Sequence, residues 1–346
     1  MSFVDPYRAR TLRDPSQLGA TPFFNRGRSK SLRALIEPHL NPDGTLKVSY
    51  PDPRVVWEWN NRVMARPADY QPRGPLNPFY LNEHYSGGDP NSAMVDDEFT
   101  AAVDLAVRWS VMGDYEAGAA AVRIVEAWSR VTAIETNAGS TMNFANHWPI
   151  ILEAALMVGD HPEYTRPTHK RLEGVTTLGL ASAELIGGIA TNNLGAWANC
   201  YTFAAAVFLI DQDLFERAII RWRTLFDYAV VNNVPVEEVH RQSSGQGDGS
   251  FGLWYSNFFL YGMVAAAEWA RFGGVWLYDY KSNTDRSTFK DFAMQVRAWT
   301  RYPETFPYNT SGTPSGTPRI LAHDDILQAL WPTPEGAWLL ANFPTG

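Results

Sequence analysis

Three short clusters hold most of the chemistry-bearing side chains that interrupt apolar stretches of this 346-residue chain. The first is Asn143, Asn146, His147 and Trp148, and the second is Asn192, Asn193 and Trp197. The third opens with His240-Arg241, runs through the glycine-rich stretch QSSGQGDGSFG and ends in Trp254-Tyr255-Ser256-Asn257, with Tyr261 following. Each has an ordinary reading, because Asn caps helices and Trp fills cores. Together they supply amides, an arginine, histidines and a tyrosine beside broad aromatic faces. The chain has no HExxH, paired CxxC, P-loop or GxGxxG pattern, and no GxSxG elbow, so no metal and no cofactor is expected.

These groups suit abstraction of a proton from the carbon next to a carboxylate. Such a carbon acid is weak, so the charge that develops on the carboxylate must be neutralised in the transition state. Asn amides and an Arg can do this by hydrogen bonding. A Tyr can act as base if a neighbouring Arg lowers its pKa from near 10. This is the chemistry of β-elimination from uronic-acid polysaccharides, and sugar rings pack on Trp and Tyr faces. The expected partner is therefore an acidic polysaccharide, with Asn146, Trp148, Asn192, Trp197, His240, Trp254 and Tyr261 as candidate binding residues.

The motifs resemble those of the mannuronate-specific alginate lyases, enzymes with an α/α-toroid fold. That family carries NNHxYW at the start of an inner helix, and this chain has Asn192-Asn193-Leu194-Gly195-Ala196-Trp197. The family then shows ELxRG and a segment like ALxYHNYAL. The matching stretches are Glu238-Val239-His240-Arg241 and Gly252-Leu253-Trp254-Tyr255-Ser256-Asn257. The DGSF element (Asp248 to Phe251) also resembles one in chondroitin-lyase and heparinase-type relatives. The resemblance spans roughly residues 96–300. It implies that Asn193 and Arg241 neutralise the uronate carboxylate and that Tyr255 is base and acid. The family's histidine position is Leu194 here, which leaves that role vacant. His147 is the candidate replacement, with a core or capping histidine as the ordinary alternative. The Arg-to-Tyr spacing is longer than in the family, so Tyr261 is a reserve base.

These residues need helices to carry them. Phe99, Ala102, Val103, Ala106, Val107 and Ser110 recur at helical spacing after Asp96, read as an N-cap. Gly113-Asp114 then breaks the helix before the apolar run AGAAAVRIVEAW. Similar punctuation recurs at Asp160, Asp211 and Gly273. Repeated αα-hairpins of this kind predict an all-α fold. The irregular spacing favours a closed α/α toroid of antiparallel helix pairs over an open solenoid. Toroid inner helices share polarity, so the three clusters are expected to face one cleft. A single domain over 1–346 is expected. Its N-terminal part, 1–95, contains the Pro- and Tyr-rich segment 67–91, which is either a lid loop or a packed connector.

Composition narrows the alternatives. The net charge is −8, although residues 1–33 carry seven Arg and Lys against two Asp. A global acidic balance argues against nucleic-acid binding, and no apolar stretch approaches a membrane span. The opening MSFVDPYRARTLRD lacks the apolar core of a signal peptide. That leaves the compartment open between the cytoplasm and export by another route. The single Cys200 lies among apolar residues and reads as buried. His39, His161, His169 and His323 read as surface positions. The expected activity is that of a monomeric polysaccharide lyase acting on polymannuronate or polyglucuronate. A glycoside hydrolase using Asp248 with Asp96, Asp97 or Glu238, and a non-catalytic sugar-binding protein, are the alternatives.

Overall fold

The computed structural model describes residues 36–50, 53–81, 90–242, 245–312 and 323–342. The basic stretch 1–33, His84 and Tyr85 of the 67–91 segment, and residues 313–319 lie outside the described residues. Among the described residues there are eleven α-helices and a single hairpin of two-residue strands. The all-α expectation therefore holds. No described helix is long and apolar enough to cross a membrane. The chain divides into two compact units.

The first unit comprises the chain up to Leu185 together with 204–211. It contains α1 (Pro53–Glu58), which runs into a π-helical turn at Trp59–Val63, then α2 (Pro90–Met112), α3 (Tyr115–Trp128), α4 (Ala138–Met157) and most of α5 (Arg166–Gly187). The α2–α3 pair is the hairpin expected from Gly113-Asp114. Gly113 takes φ +71°, where a side chain is disfavoured, and Asp114 caps α3 by accepting from Ala117 N at 3.1 Å. Asp96, in contrast, is not an N-cap. Helix α2 starts at Pro90, because proline at the first helical position gives up no needed N–H. Asp96 consequently sits on the second turn.

Helix α2 packs on both α3 and α4. Phe99 meets Trp128 edge to face at 4.8 Å, and Phe144 stacks on Trp148 at 4.7 Å. Burying each such ring contributes roughly 1.5–3 kcal/mol. Glu98 is fully buried among them but satisfied, accepting from Trp128 Nε1 at 2.6 Å and from Gly74 N at 3.2 Å. That bond ties down residues 67–81. Phe79, also fully buried, adds backbone bonds with Ala133 and Glu135.

The second unit comprises Ile186–Phe203 and the chain from Gln212 onward. It holds the start of α6 (Asn193–Leu209), then α7 (Gln212–Ala229), the strands β1 (Val230–Val231) and β2 (Val234–Pro235), α8 (Gly252–Phe272), α9 (Phe289–Arg301), α10 (Asp324–Leu330) and α11 (Pro334–Asn342). Helix α8 packs on α7 and α9, and α11 packs on α9 and α10. Trp222 of α7 is fully buried and donates to the Met263 carbonyl of α8 at 3.1 Å. Arg297 and Asp324 form a buried ion pair at 2.7 Å. Two histidines expected at the surface are buried. His161 packs on Trp109 and donates to the Tyr115 carbonyl at 3.1 Å. His323 stacks on Tyr261, and burial followed by the Arg297 charge pushes its imidazole down to about 3. Both are tertiary effects that no local pattern encodes. Cys200 is buried.

Candidate active site

The second and third clusters meet in the second unit. Asn192 is the capping amide: its Oδ1 accepts from Leu194 N at 3.0 Å. Asn193, the first residue of α6, has a different partner. Its backbone N–H and its Nδ2 both donate to Glu238 Oε1, at 2.5 and 2.9 Å. The neighbouring Thr191 hydroxyl donates to Glu237. Two successive carboxylates thus hold the start of α6, where the positive end of the helix dipole favours them. The hairpin delivers this acid pair. Asn232 and Asn233 adopt φ +51° and +63°, as a two-residue primed turn requires. Their N–H groups are fixed by Asp285 and by Ser287 Oγ.

Three residues after Glu238, Arg241 places its guanidinium over the Tyr255 ring at 4.2 Å. The intervening loop does not separate them, because Phe251 N donates back to the Arg241 carbonyl at 3.0 Å and closes the insertion. Two glycines make that closure possible. A Cβ on Gly249, itself at φ +76°, would lie 2.1 Å from the Tyr308 carbonyl oxygen, and one on Gly252 would lie 2.1 Å from that of Val239. Tyr255 then emerges in the first turn of α8, half-buried, with Trp254 packed edge to face on it at 4.9 Å.

The electrostatics of the set centre on Glu238. Burial pushes its carboxyl up to about 7, against the lowering effects of the Asn193 bonds and of Arg241. Its Oε2, Arg241 Nε and Trp197 Nε1 are all buried with no partner among the described residues. Trp197 also packs on Tyr261 at 5.0 Å and on Phe258 at 5.3 Å. His240 is exposed and meets Tyr308 at 5.3 Å. A separate groove of about 420 Å³ lies between residues 188–191 and one face of α7. It contains none of Asn193, Arg241 or Tyr255, so the chemistry is not placed there.

The first cluster belongs to the first unit and lies within α4 rather than at its start, since Asn137 caps that helix. His147 is buried, with Nδ1 on the Asn143 carbonyl at 2.8 Å and Nε2 on Asp96 Oδ1 at 2.7 Å. A carbonyl only accepts, so Nδ1 carries a hydrogen on that side. Asn146 is half-buried, and its Oδ1 has no partner among the described residues. Trp148 is fully buried, with its indole N–H on Thr176 at 3.3 Å. Glu238 is the residue whose part in the set sequence reasoning missed. The available signal was its place in the Glu238–Arg241 motif, directly after a turn.

No sequence among curated proteins matches the chain. Among solved structures, the chain is similar to alginate lyase A1-III from Sphingomonas species A1. The TM-score is 0.67 at 15% identity, covering 95% of this chain and 94% of that one. A histidine-to-alanine variant of alginate lyase A1-III complexed with tetrasaccharide gives a TM-score of 0.64 at 16% identity, over 92% and 88% of the two chains. An alginate lyase from Bacteroides ovatus gives 0.52 at 16% identity, over 81% and 80%. The model of the alginate lyase family matches residues 59–306, well over half of the chain and inclusive of every candidate residue described above. The chain belongs to the alginate lyase family and is a polysaccharide lyase.

Proposed function

We propose that this protein cleaves a (1→4)-linked uronate polymer, polymannuronate in alginate or polyglucuronate, by β-elimination. The observation that carries the reading is the Arg241 guanidinium lying over the Tyr255 ring at 4.2 Å. A guanidinium held over a ring face is attracted by the ring quadrupole, so the cation and the tyrosine are fixed together. Asn193 and Arg241 neutralise the uronate carboxylate, so that negative charge can build on it as the C5–H bond breaks. Tyr255 takes the C5 proton. The C4–O bond breaks, the C4=C5 double bond forms, and the same Tyr255 hydroxyl returns a proton to the leaving oxygen. One residue serves both steps when the proton and the leaving group lie on the same face, as in mannuronate and glucuronate. The product is a 4,5-unsaturated uronate at the new non-reducing end.

From the sequence alone, His147 is proposed as the substitute for the histidine lacking at Leu194. Both ring nitrogens are already engaged, Nε2 by Asp96 and Nδ1 by the Asn143 carbonyl, so proton transfer at His147 requires one of these bonds to open. Trp254 and Tyr261 are the proposed sugar-packing faces, joined by Asn192 and His240 as polar contacts, while buried Trp197 backs Tyr261. Trp148, in the core, is given no direct contact in this scheme. The protein acts as a monomer and without a cofactor.

The test is a screen of mannuronate-rich alginate, guluronate-rich alginate and polyglucuronate for the ultraviolet absorbance of the conjugated product. Absorbance growing fastest on a mannuronate or glucuronate polymer is expected. New reducing ends without absorbance would mean hydrolysis and would overturn the reading.

A further inference from the structure

We propose that Glu238 is the positioning residue for Asn193: by taking both the backbone N–H and one Nδ2 hydrogen on a single oxygen, it presents the second Nδ2 hydrogen to the uronate carboxylate. An amide at the first position of a helix is otherwise free to rotate about two side-chain bonds. The two bonds to Glu238 Oε1, at 2.5 and 2.9 Å, remove that freedom. An Nδ2 group has two hydrogens, so the clamp uses one and leaves one to donate. The inference rests on the role given to Asn193 under Proposed function.

The geometry also decides where a proton on Glu238 must sit. Oε1 already accepts two N–H groups, whereas Oε2 is buried without a partner among the described residues. A proton therefore goes on Oε2 and leaves the clamp intact. The charges acting on this carboxyl are Arg241, which favours the ionised form, and Glu237, which opposes it, with burial outweighing both. A polyanionic substrate adds a further negative charge close to Asn193. Neutral Glu238 holds the amide without repelling the charge that develops in the transition state, and ionised Glu238 holds it but repels that charge. The clamp is thus coupled to pH in the neutral range, the side on which burial places this group at about 7.

A double-mutant cycle with full pH profiles on the best polymer tests this. Glu238→Ala is expected to lower kcat/KM about 10²-fold, the order of loss that follows a small misplacement of a catalytic group. In an Asn193→Ala background the same change is expected to cost less than about twofold, because residues that act through one another are not additive. Glu238→Gln keeps an acceptor oxygen and cannot ionise. It is expected to retain most of the activity lost in Glu238→Ala and to lose the fall in kcat/KM above neutral pH. Equal losses from Glu238→Ala in both backgrounds, or a Glu238→Gln profile identical to the original, would overturn the proposal. Should Glu238→Ala fail to fold, the Glu238→Gln profile decides alone. Asn193→Ala with full activity would instead overturn the role given to Asn193. An inactive Asn193→Ala beside a fully active Glu238→Ala would sink only the inference about Glu238.

Discussion

The Arg241 guanidinium carbon lies over the Tyr255 ring, 4.2 Å from its centroid, although thirteen residues separate the two in sequence. A backbone bond from Phe251 to Arg241 closes the loop between them. The pair is consequently set by main chain, which is the more rigid way to hold a base and its cation.

Arg241→Lys keeps the charge but loses the planar group that stacks on the ring and forks to a carboxylate. A fall of about 10²-fold in kcat is expected, near the lower end for removal of one preorganised donor. Steady-state kinetics on the best polymer check it. Unchanged kcat would mean that charge alone suffices at this position.

Glu238 ties stability to pH. Its carboxyl is near 7 in the fold against an ordinary value of 4.5. Between those values the folded state binds more protons than the unfolded state, so stability falls as pH rises from about 4.5 through about 7. The loss is complete above that window and reaches about 3 kcal/mol at most. Glu238→Gln removes the effect. Its midpoint of denaturation, relative to the original protein, is expected to be higher at pH 8 than at pH 5. The same difference at both pH values would contradict the assignment.

His147→Ala separates chemistry from binding. Both ring nitrogens of His147 are engaged, by Asp96 and by the Asn143 carbonyl; if the proposed proton-transfer role holds despite this, the variant loses kcat by at least about 10²-fold. A rise in KM with kcat unchanged would make it a binding residue.

Much of this was legible in the residues themselves. The helix pair broken at Gly113-Asp114 follows from capping and a left-handed glycine. The pairing of Arg241 with Tyr255 was expected from residue type and motif. Other features depend on distant partners. The bond from Asn193 to Glu238 spans forty-five residues, so no local pattern announces it. Pro90 reads as a helix breaker, yet at the first helical position it starts α2. Helix α4 is apolar nearly all round, so periodicity could not tell that Trp148 faces the core while Asn146, two residues earlier, is half-buried. The burial of His161 and His323 is likewise set by neighbours from other elements.

The central claim is that one hydroxyl moves both protons. Tyr255→Phe deletes only that hydroxyl and leaves the ring under Arg241 and beside Trp254. The decisive measurement is the initial rate of unsaturated product, followed by ultraviolet absorbance on the best uronate polymer, for Tyr255→Phe against the original protein. The account predicts a loss beyond the roughly 10²–10⁴-fold of a single general acid–base step, with the fold and polymer binding retained. Turnover within a few-fold of the original would contradict it.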